Sequence, residues 1–318
     1  MHQHLGNLDP DERAADPLWA LVRAAPDEHV DLTEALDALA ARADADPTSY
    51  RWSFARTLGG CRLVVVDSRA ARFFERGDRR MLDPSEMAWL DERLTGDVDH
   101  LLVATSLPYL LPEGLHHVEA WSEAIAEGGW GRGGRRLGER IRRAGDLEHW
   151  GAWQEDFHRV AASVLAVCRG ERGRPPATVT FLSGDVHHSY LAEVQGLGPG
   201  TQVVQAVCSP IRNPLPRFVR FGTAFLAYGV AGPLGTVLAR SAKVPSAPFR
   251  WRMRGRPHYD NNLARLDVAA DGRSYELSWW TGVDGPAPDR PGLRRLRRER
   301  VGPVGAAGQK LSATRISS

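Results

Sequence analysis

Residues 178–190, TVTFLSGDVHHSY, constrain the fold of this chain more than any other stretch. The β-branched and apolar run at 179–182 predicts a buried strand, which ends abruptly at a Ser-Gly pair. Asp185, His187 and His188 follow at once. Open α/β sheets hold ligands beyond the carboxyl ends of their strands, where loops are free to project side chains. The stretch therefore predicts an α/β fold with its chemistry at this strand end.

These three side chains have the composition of a metal site. Aspartate oxygen and imidazole nitrogen suit a divalent or trivalent cation such as Zn, Fe or Mn. Because side chains alternate along an extended segment, we expect Asp185 and His187 on one side and His188 pointing onward. The alternative is a strand end with solvated polar residues. Three ionisable groups within four residues favour the site.

Several segments in the same order resemble one enzyme family. Gly-Asp-Val-His at 184–187 resembles the C-terminal metal motif of the PhoD-like (alkaline phosphatase D) family of calcineurin-like metallophosphoesterases. The strand LVVVDSR at 63–69 resembles the family's apolar strand that ends in Asp-Thr/Ser-Arg. Further similar segments are MLDPSEMAWL at 81–90, TSLPYLLPEGLHHVEAW at 105–121 and LEHWGAW at 147–153. The resemblance extends over about residues 48–270 and is carried by the motifs taken together.

The resemblance implies a metallophosphoesterase-like layered α-β-β-α sandwich. We expect it to be incomplete at its N-terminal side, because the Gly-Asp and Asn-containing motifs of the family's earlier ligands do not occur before residue 50. It also implies hydrolysis of a small-molecule phosphate ester, with two cations about 3.5 to 4 Å apart that activate a water molecule. The cations would be Fe, Ca, Zn or Mn, with the identity left open.

The roles of the site residues follow from the same resemblance. Asp185 and His187 would be metal ligands, and His188 would contact the ligands or the leaving group. Arg69 would hold phosphate oxygens in a fork. Asp67, by its position at the end of the predicted strand 62–66, would bind metal or orient a ligand. For Asp67 and Arg69 an equal alternative is a pair that braces the loop to the next helix.

Three functional hypotheses remain open. The first is a PhoD-like phosphomonoesterase or phosphodiesterase. The second is a non-catalytic remnant, or a subunit that needs a separate N-terminal fragment to supply the missing ligands. The third is a membrane-surface module that uses residues 217–243, where an uncharged stretch at 221–239 has arginines on both flanks. For that stretch we favour one or two helices packed on the domain, without membrane contact.

The composition and the N-terminus argue against a nucleic-acid partner, disulfide bonds and a signal peptide. The net charge is only +2 with 25% charged residues, so we expect no nucleic-acid partner. The three cysteines lie far apart in the sequence, which predicts reduced thiols. The polar N-terminus lacks the features of a signal peptide, and the chain as written is expected in the cytoplasm.

Three regions are expected. Residues 1–50 would form a helical segment and linker, 51–283 the C-terminal portion of a PhoD-like domain, and 284–318 a disordered basic tail. Residues 112–130 are expected to form a loop, and 128–136 to be mobile. The predicted helices are 31–43, 83–94 and 147–169, and the predicted strands are 62–66, 100–104, 179–182, 190–194, 202–208 and a hairpin of 263–268 with 274–280.

Overall fold

A computed structural model describes residues 2–25, 29–70, 72–75, 77–145, 147–198, 200–212, 231–287 and 290–303. The helices are α1 (His2–Asn7), α2 (Pro10–Ala14), α3 (Pro17–Ala24), α4 (Thr33–Ala45), α5 (Pro84–Arg93), α6 (Glu113–Ala126), α7 (Gly131–Gly145), α8 (Gln154–Cys168) and α9 (Ala231–Ser241). The strands are β1 (Phe54–Leu58), β2 (Cys61–Val66), β3 (Phe73–Glu75), β4 (Asp78–Arg80), β5 (His100–Thr105), β6 (Thr178–Ser183), β7 (Ser189–Gln195), β8 (Gln202–Val207), β9 (Arg250–His258), β10 (Leu263–Val268), β11 (Tyr275–Ala287) and β12 (Arg290–Val301). Short 3₁₀ helices lie at Pro47–Ser49 and Trp150–Ala152.

A seven-stranded mixed sheet organises the fold. Its strand order is β1-β2-β5-β6-β8-β7-β9. Strands β2, β5, β6 and β8 run parallel, and the other pairings are antiparallel. The register places Val103 of β5 beside Val64 of β2 and Phe181 of β6. The carboxyl ends of these parallel strands therefore lie at one edge of the sheet.

Each face of this sheet buries apolar side chains. On one face Val103 and Phe181 pack into the main core together with Leu90 of α5 and Phe157 of α8. The other face is covered in part by a three-stranded antiparallel sheet of order β10-β11-β12. The second core joins strands β7 and β8 to Tyr275, Leu277, Trp279 and Val301. The expected α/β fold is thus confirmed as a mixed central sheet flanked by helices, with a second sheet as a further layer.

Two hydrogen bonds fix the small sheet on the large one. The indole Nε1 of Trp279 donates to the carbonyl of Val207 at 3.0 Å. The hydroxyls of Thr180 and Tyr275 lie 2.6 Å apart and share a hydrogen bond. Because these polar atoms are buried, each partner satisfies a group that would otherwise be costly to desolvate.

The start of α5 agrees with the sequence prediction. The Asp83 carboxylate accepts from the amides of Ser85 and Glu86 at 2.7 and 3.0 Å, and Pro84 occupies the first helical position. Such a cap satisfies amide groups that have no partner within the helix. The other predicted strands are present within one or two residues of the expected bounds, and the hairpin around Asp271 is present with its second strand, β11, extended to Ala287 beyond the predicted end at 280.

The segments expected to be a loop and a mobile region are helices instead. Helix α6 buries the polar residues His116 and Glu119 along with its apolar residues. Because polar residues occupy these interior positions, the sequence lacks the apolar periodicity by which a helix is recognised. Helix α7 contains a glycine that allows close packing on α6. A Cβ on Gly138 would lie 2.7 Å from the backbone nitrogen of Ala126 on α6. Gly138 thus permits the close approach of the two helices.

The basic segment expected to be disordered contains strand β12. Three of its arginines have partners on β11 or in the turn before it: Arg298 pairs with Glu276, Arg300 pairs with Asp271 at 3.1 Å, and Arg297 lies over the ring of Trp279 at 5.5 Å. These contacts compensate part of the charge that suggested a solvated tail. Residues 304–318 lie outside the description, and the expected domain boundary near residue 50 stays a prediction.

Two further helix predictions need adjustment. The helix expected at 147–169 begins only at Gln154, after the short 3₁₀ helix. In the uncharged stretch, 221–230 lie outside the described residues, and 231–239 belong to α9, which packs on α6. Among the described residues no helix combines the length and apolar character needed to cross a membrane. All three cysteines are free, as predicted.

Candidate functional site

The predicted site residues lie beyond the carboxyl ends of β2 and β6. The segment after β2 carries Asp67 and Arg69, and the segment after β6 carries Asp185, His187 and His188. A cleft of about 630 Å³ opens beside the first segment. Its lining includes Trp52, Phe54, Val65, Asp67, Arg69 and Ser106. The fold therefore places a polar loop and an apolar sheet surface around one cleft.

Asp67 holds the loop that presents Arg69. Its Oδ1 accepts from the backbone amides of Arg69 at 2.9 Å and Ala70 at 3.1 Å. Its own amide donates to the hydroxyl of Ser53 at 2.7 Å. Aspartate commonly stabilises turns by accepting from amides two or three residues ahead. This geometry matches the bracing alternative for Asp67 and makes Arg69 part of an ordered turn.

Arg69 meets Asp185 directly. The guanidinium Nη2 donates to Oδ2 of Asp185, which links two loops that are 116 residues apart in the sequence. Both side chains are about half-exposed. An exposed pair of this kind contributes about 0.2 to 1 kcal/mol to stability. The contact therefore orients both side chains but adds little to stability. Either side chain can exchange its partner for another charged group.

The backbone at Asp185 and His187 is left-handed, with φ of 66° and 54°. The expectation that alternation in an extended segment places these side chains on one side is therefore wrong. Residues 186–188 are a bend that connects β6 to β7. Such φ values are uncommon outside glycine, although aspartate, asparagine and histidine adopt them more often than other residues. The amide of His187 donates to the hydroxyl of Ser209 at 3.2 Å.

His188 is buried, in contrast to the exposed Asp185 and His187. Its Nδ1 donates to the carbonyl of Val186 at 2.6 Å, and its ring stacks on Tyr259 with centroids 5.5 Å apart. The pKa of His188 is lowered to about 4, chiefly by burial and to a smaller degree by the nearby His149 and His187, while the hydrogen bond to the Val186 carbonyl opposes this shift. The ring is therefore neutral at neutral pH, with the proton on Nδ1.

The structure adds a second polar group that the sequence analysis missed. Nδ1 of His149 donates to Oε1 of Glu119 at 2.7 Å, and Glu119 is fully buried. His149 lies close enough to His188 for its charge to lower the pKa of His188. Next to it, Arg72 pairs with Glu148 at 2.8 Å. A prediction of a helix at 113–126 would have placed Glu119 on the buried side of that helix.

We tested whether these side chains fit the metal ions that the resemblance implies. Asp67 already accepts from two amides, and Asp185 is paired with a guanidinium. In the part of the chain that the structure describes, no group of three or more His, Cys, Asp or Glu side chains is arranged to hold a metal ion. The described residues thus do not fit a metal centre by themselves, and the ligand roles of Asp67, Asp185 and His187 stay predictions.

No family model and no curated protein matches the sequence. Among solved structures, a structure of PhoD aligns with 80% of this chain at a TM-score of 0.46 and 10% sequence identity. The chain spans 42% of that protein's length. The similarity concerns structure alone, without support from a sequence family.

Proposed function

We propose that this chain provides part of the site of a phosphoric ester hydrolase, and that Arg69 binds the phosphate group of the ester. One observation carries the proposal. Arg69 stands at the cleft on a braced turn, and its guanidinium already holds the carboxylate of Asp185. A guanidinium that binds a carboxylate through its planar fork of donors can bind phosphate oxygens in the same way.

The other site residues have definable roles in this proposal. Asp185 occupies the anion position until a phosphate group displaces it. The ring of His188 is neutral, and its Nδ1 proton is donated to the carbonyl of Val186. Its Nε2 is therefore unprotonated and can accept a proton. Proton acceptors of this kind assist attack by water when they lie within hydrogen-bond reach. The substrate would be a small-molecule phosphate monoester or diester.

Metal-dependent turnover requires more ligands than the described residues present. We therefore propose that hydrolysis depends on a complementing N-terminal fragment, with Fe, Ca, Zn or Mn held jointly by that fragment, Asp185 and His187. A second candidate is a non-catalytic remnant that retains the sheet and the Arg69 turn. The observation that favours this second candidate is the lack, within the described ranges, of a cluster of metal-ligating side chains.

The decisive experiment measures metal content and turnover of the purified chain. It is assayed with an aryl phosphate and a bis-aryl phosphate, with Mn, Zn, Ca or Fe added in turn. Stoichiometric metal and turnover abolished by Asp185→Ala would support an enzyme complete in this chain. Activity that arises only with a separate fragment would support the proposed dependence.

A matched control separates the site from general effects of charge. Asp267 forms a similar pair with Arg265 at 2.7 Å on the small sheet, and both side chains are exposed. Asp267→Ala should leave turnover and phosphate binding unchanged. A chain that neither binds phosphate nor turns over an ester, with or without the fragment, would refute the proposal and leave the remnant.

A further inference from the structure

Helix α6 lies between the body of the protein and two outer helices. Both α7 and α9 pack on it, and their shared apolar cluster contains Trp121 and Ile125 of α6, Ile141 of α7 and Leu238 of α9. Helix α6 is buried on most of its circumference. The remaining sides of α7 and α9 are exposed. We call these exposed sides, together with Trp130 in the turn before α7, the α7–α9 face.

The α7–α9 face is cationic. Arg132, Arg136 and Arg140 recur at every fourth position of α7 and are exposed, and so are Arg240 near the end of α9 and Lys243 two residues after that helix. Residues four apart in a helix lie on one side of it. Among the described residues, none of these five cations forms an ion pair with a carboxylate. Within the described ranges, the positive charge of this face therefore has no ion-pair partners.

Two acidic residues of this region are engaged on the inner side of α7. Glu127 lies 2.8 Å from Arg79, and Glu139 of α7 pairs with the same guanidinium. Arg79 is nearly buried, so both carboxylates are engaged on the inner side of α7. Because the carboxylates are held there, they do not neutralise the arginines on the outer side.

The same face exposes large apolar side chains. These residues are between 41 and 63% exposed: Trp130, Leu137, Leu234 and Val237. Trp130 packs edge-on against Trp121, and its indole Nε1 donates to the carbonyl of Ser241 at 3.3 Å. The contact holds the turn before α7 against the end of α9. Tryptophan and aliphatic residues beside arginine and lysine are typical of helices that lie in a membrane interface.

We propose that the α7–α9 face binds the surface of an anionic lipid bilayer. Arginine and lysine would contact the lipid phosphates, and Trp130, Leu137, Leu234 and Val237 would enter the boundary between headgroups and acyl chains. Nucleic acid would bind the cations equally well, but it would not bury the aliphatic side chains on the same face. The binding is peripheral, because helices α7 and α9 lie along the protein surface and stay packed on α6. It is independent of the proposed hydrolase function.

Vesicle flotation of the full chain tests this proposal. We expect binding to vesicles of phosphatidylglycerol with phosphatidylcholine, much weaker binding to pure phosphatidylcholine, and release by added salt. The variant Arg132→Gln/Arg136→Gln/Arg140→Gln should lower the partition coefficient by about five-fold for each charge removed. The variant Leu137→Ser/Val237→Ser keeps the charge and should also lower binding.

The control variant is Arg256→Gln/Arg290→Gln/Arg294→Gln. It removes the same charge from exposed positions on β9 and β12 and should bind vesicles like the parent chain. All substituted positions are exposed, so the three variants should fold like the parent chain, and thermal unfolding followed by circular dichroism checks this. Equal losses in the two arginine variants would overturn the proposal, and so would binding to RNA without binding to anionic vesicles.

Discussion

The guanidinium of Arg69 holds the carboxylate of Asp185 across the carboxyl edge of the central sheet. One residue follows β2 and the other follows β6, and β5 lies between these two strands. The pair therefore spans the position where three parallel strands end. The ion pair masks both proposed binding groups. Arg69 blocks the carboxylate that could bind a metal ion, and Asp185 blocks the guanidinium that could bind phosphate.

This pair gives a prediction about phosphate affinity. Asp185→Asn should strengthen binding of inorganic phosphate by about 1.4- to five-fold in the presence of a chelator, because it removes a competing anion worth about 0.2 to 1 kcal/mol. Arg69→Gln should weaken binding below detection. Isothermal titration calorimetry measures both, with Asp267→Asn as the unchanged control. Weaker phosphate binding by Asp185→Asn would show that the carboxylate does not compete for Arg69.

The half-buried carboxyl group of Glu123 predicts how stability depends on pH. Its pKa is raised to about 8, chiefly by desolvation, against smaller lowering effects from the hydrogen bond of the Gln154 amide and from Arg79. A carboxyl pKa raised above the unfolded value of about 4.3 contributes stability below that pH, and the contribution is lost as pH rises through about 8. The free energy of unfolding should therefore fall by more than about 1 kcal/mol over this range.

The variant Glu123→Gln isolates this contribution. Glutamine keeps an oxygen that can accept from the Gln154 amide but does not titrate. Urea unfolding at several pH values should show a flatter pH profile for the variant than for the parent chain. The pKa of Asp156 is also raised by burial, to about 6, so part of the slope at lower pH should remain. Parallel profiles for the two proteins would contradict the assignment to Glu123.

Strand β12 predicts effects of very different size for the same substitution at two of its positions. Val301 is completely buried against the second core, whereas Leu293 is exposed. Val301→Asp would bury an unpaired charge and should lower the free energy of unfolding by about 3 kcal/mol or more. Leu293→Asp should change it by less than about 0.5 kcal/mol. Chemical denaturation of both variants compares them, and similar small effects would indicate that this strand is not packed.

Gly151 predicts a steric effect on the buried Glu119–His149 pair. A Cβ at this position would lie 2.8 Å from Oε2 of Glu119 and 3.0 Å from Nδ1 of His116. Gly151→Ala should therefore displace Glu119 and destabilise the chain by about 1 to 3 kcal/mol. The matched control is Gly133→Ala in α7, where a Cβ meets open space and should stabilise the helix by about 0.5 to 1 kcal/mol. Thermal unfolding distinguishes the two, and a stable Gly151→Ala variant would be the contrary result.

Local pattern alone determined the strands and the cap of α5. Strands β2, β5 and β6 are continuous apolar runs, and such runs are buried wherever the chain places them. The cap at Asp83 depends on neighbours two and three residues away, so the sequence contains the whole interaction. The positions of Asp67 and Asp185 just beyond strand ends followed from the same runs.

Only the tertiary structure decided the remaining features, because their partners are distant in the sequence. Helix α6 buries a histidine and a glutamate, helix α7 uses Gly138 to approach α6, and β12 compensates its arginines with acids on β11 and after β10. The contact of Arg69 with Asp185 depends on strand order, and the left-handed turn at 185–187 overrides the alternation of side chains. Sequence patterns report burial and local capping, whereas pairing between distant charges appears only when the sheet brings their loops together.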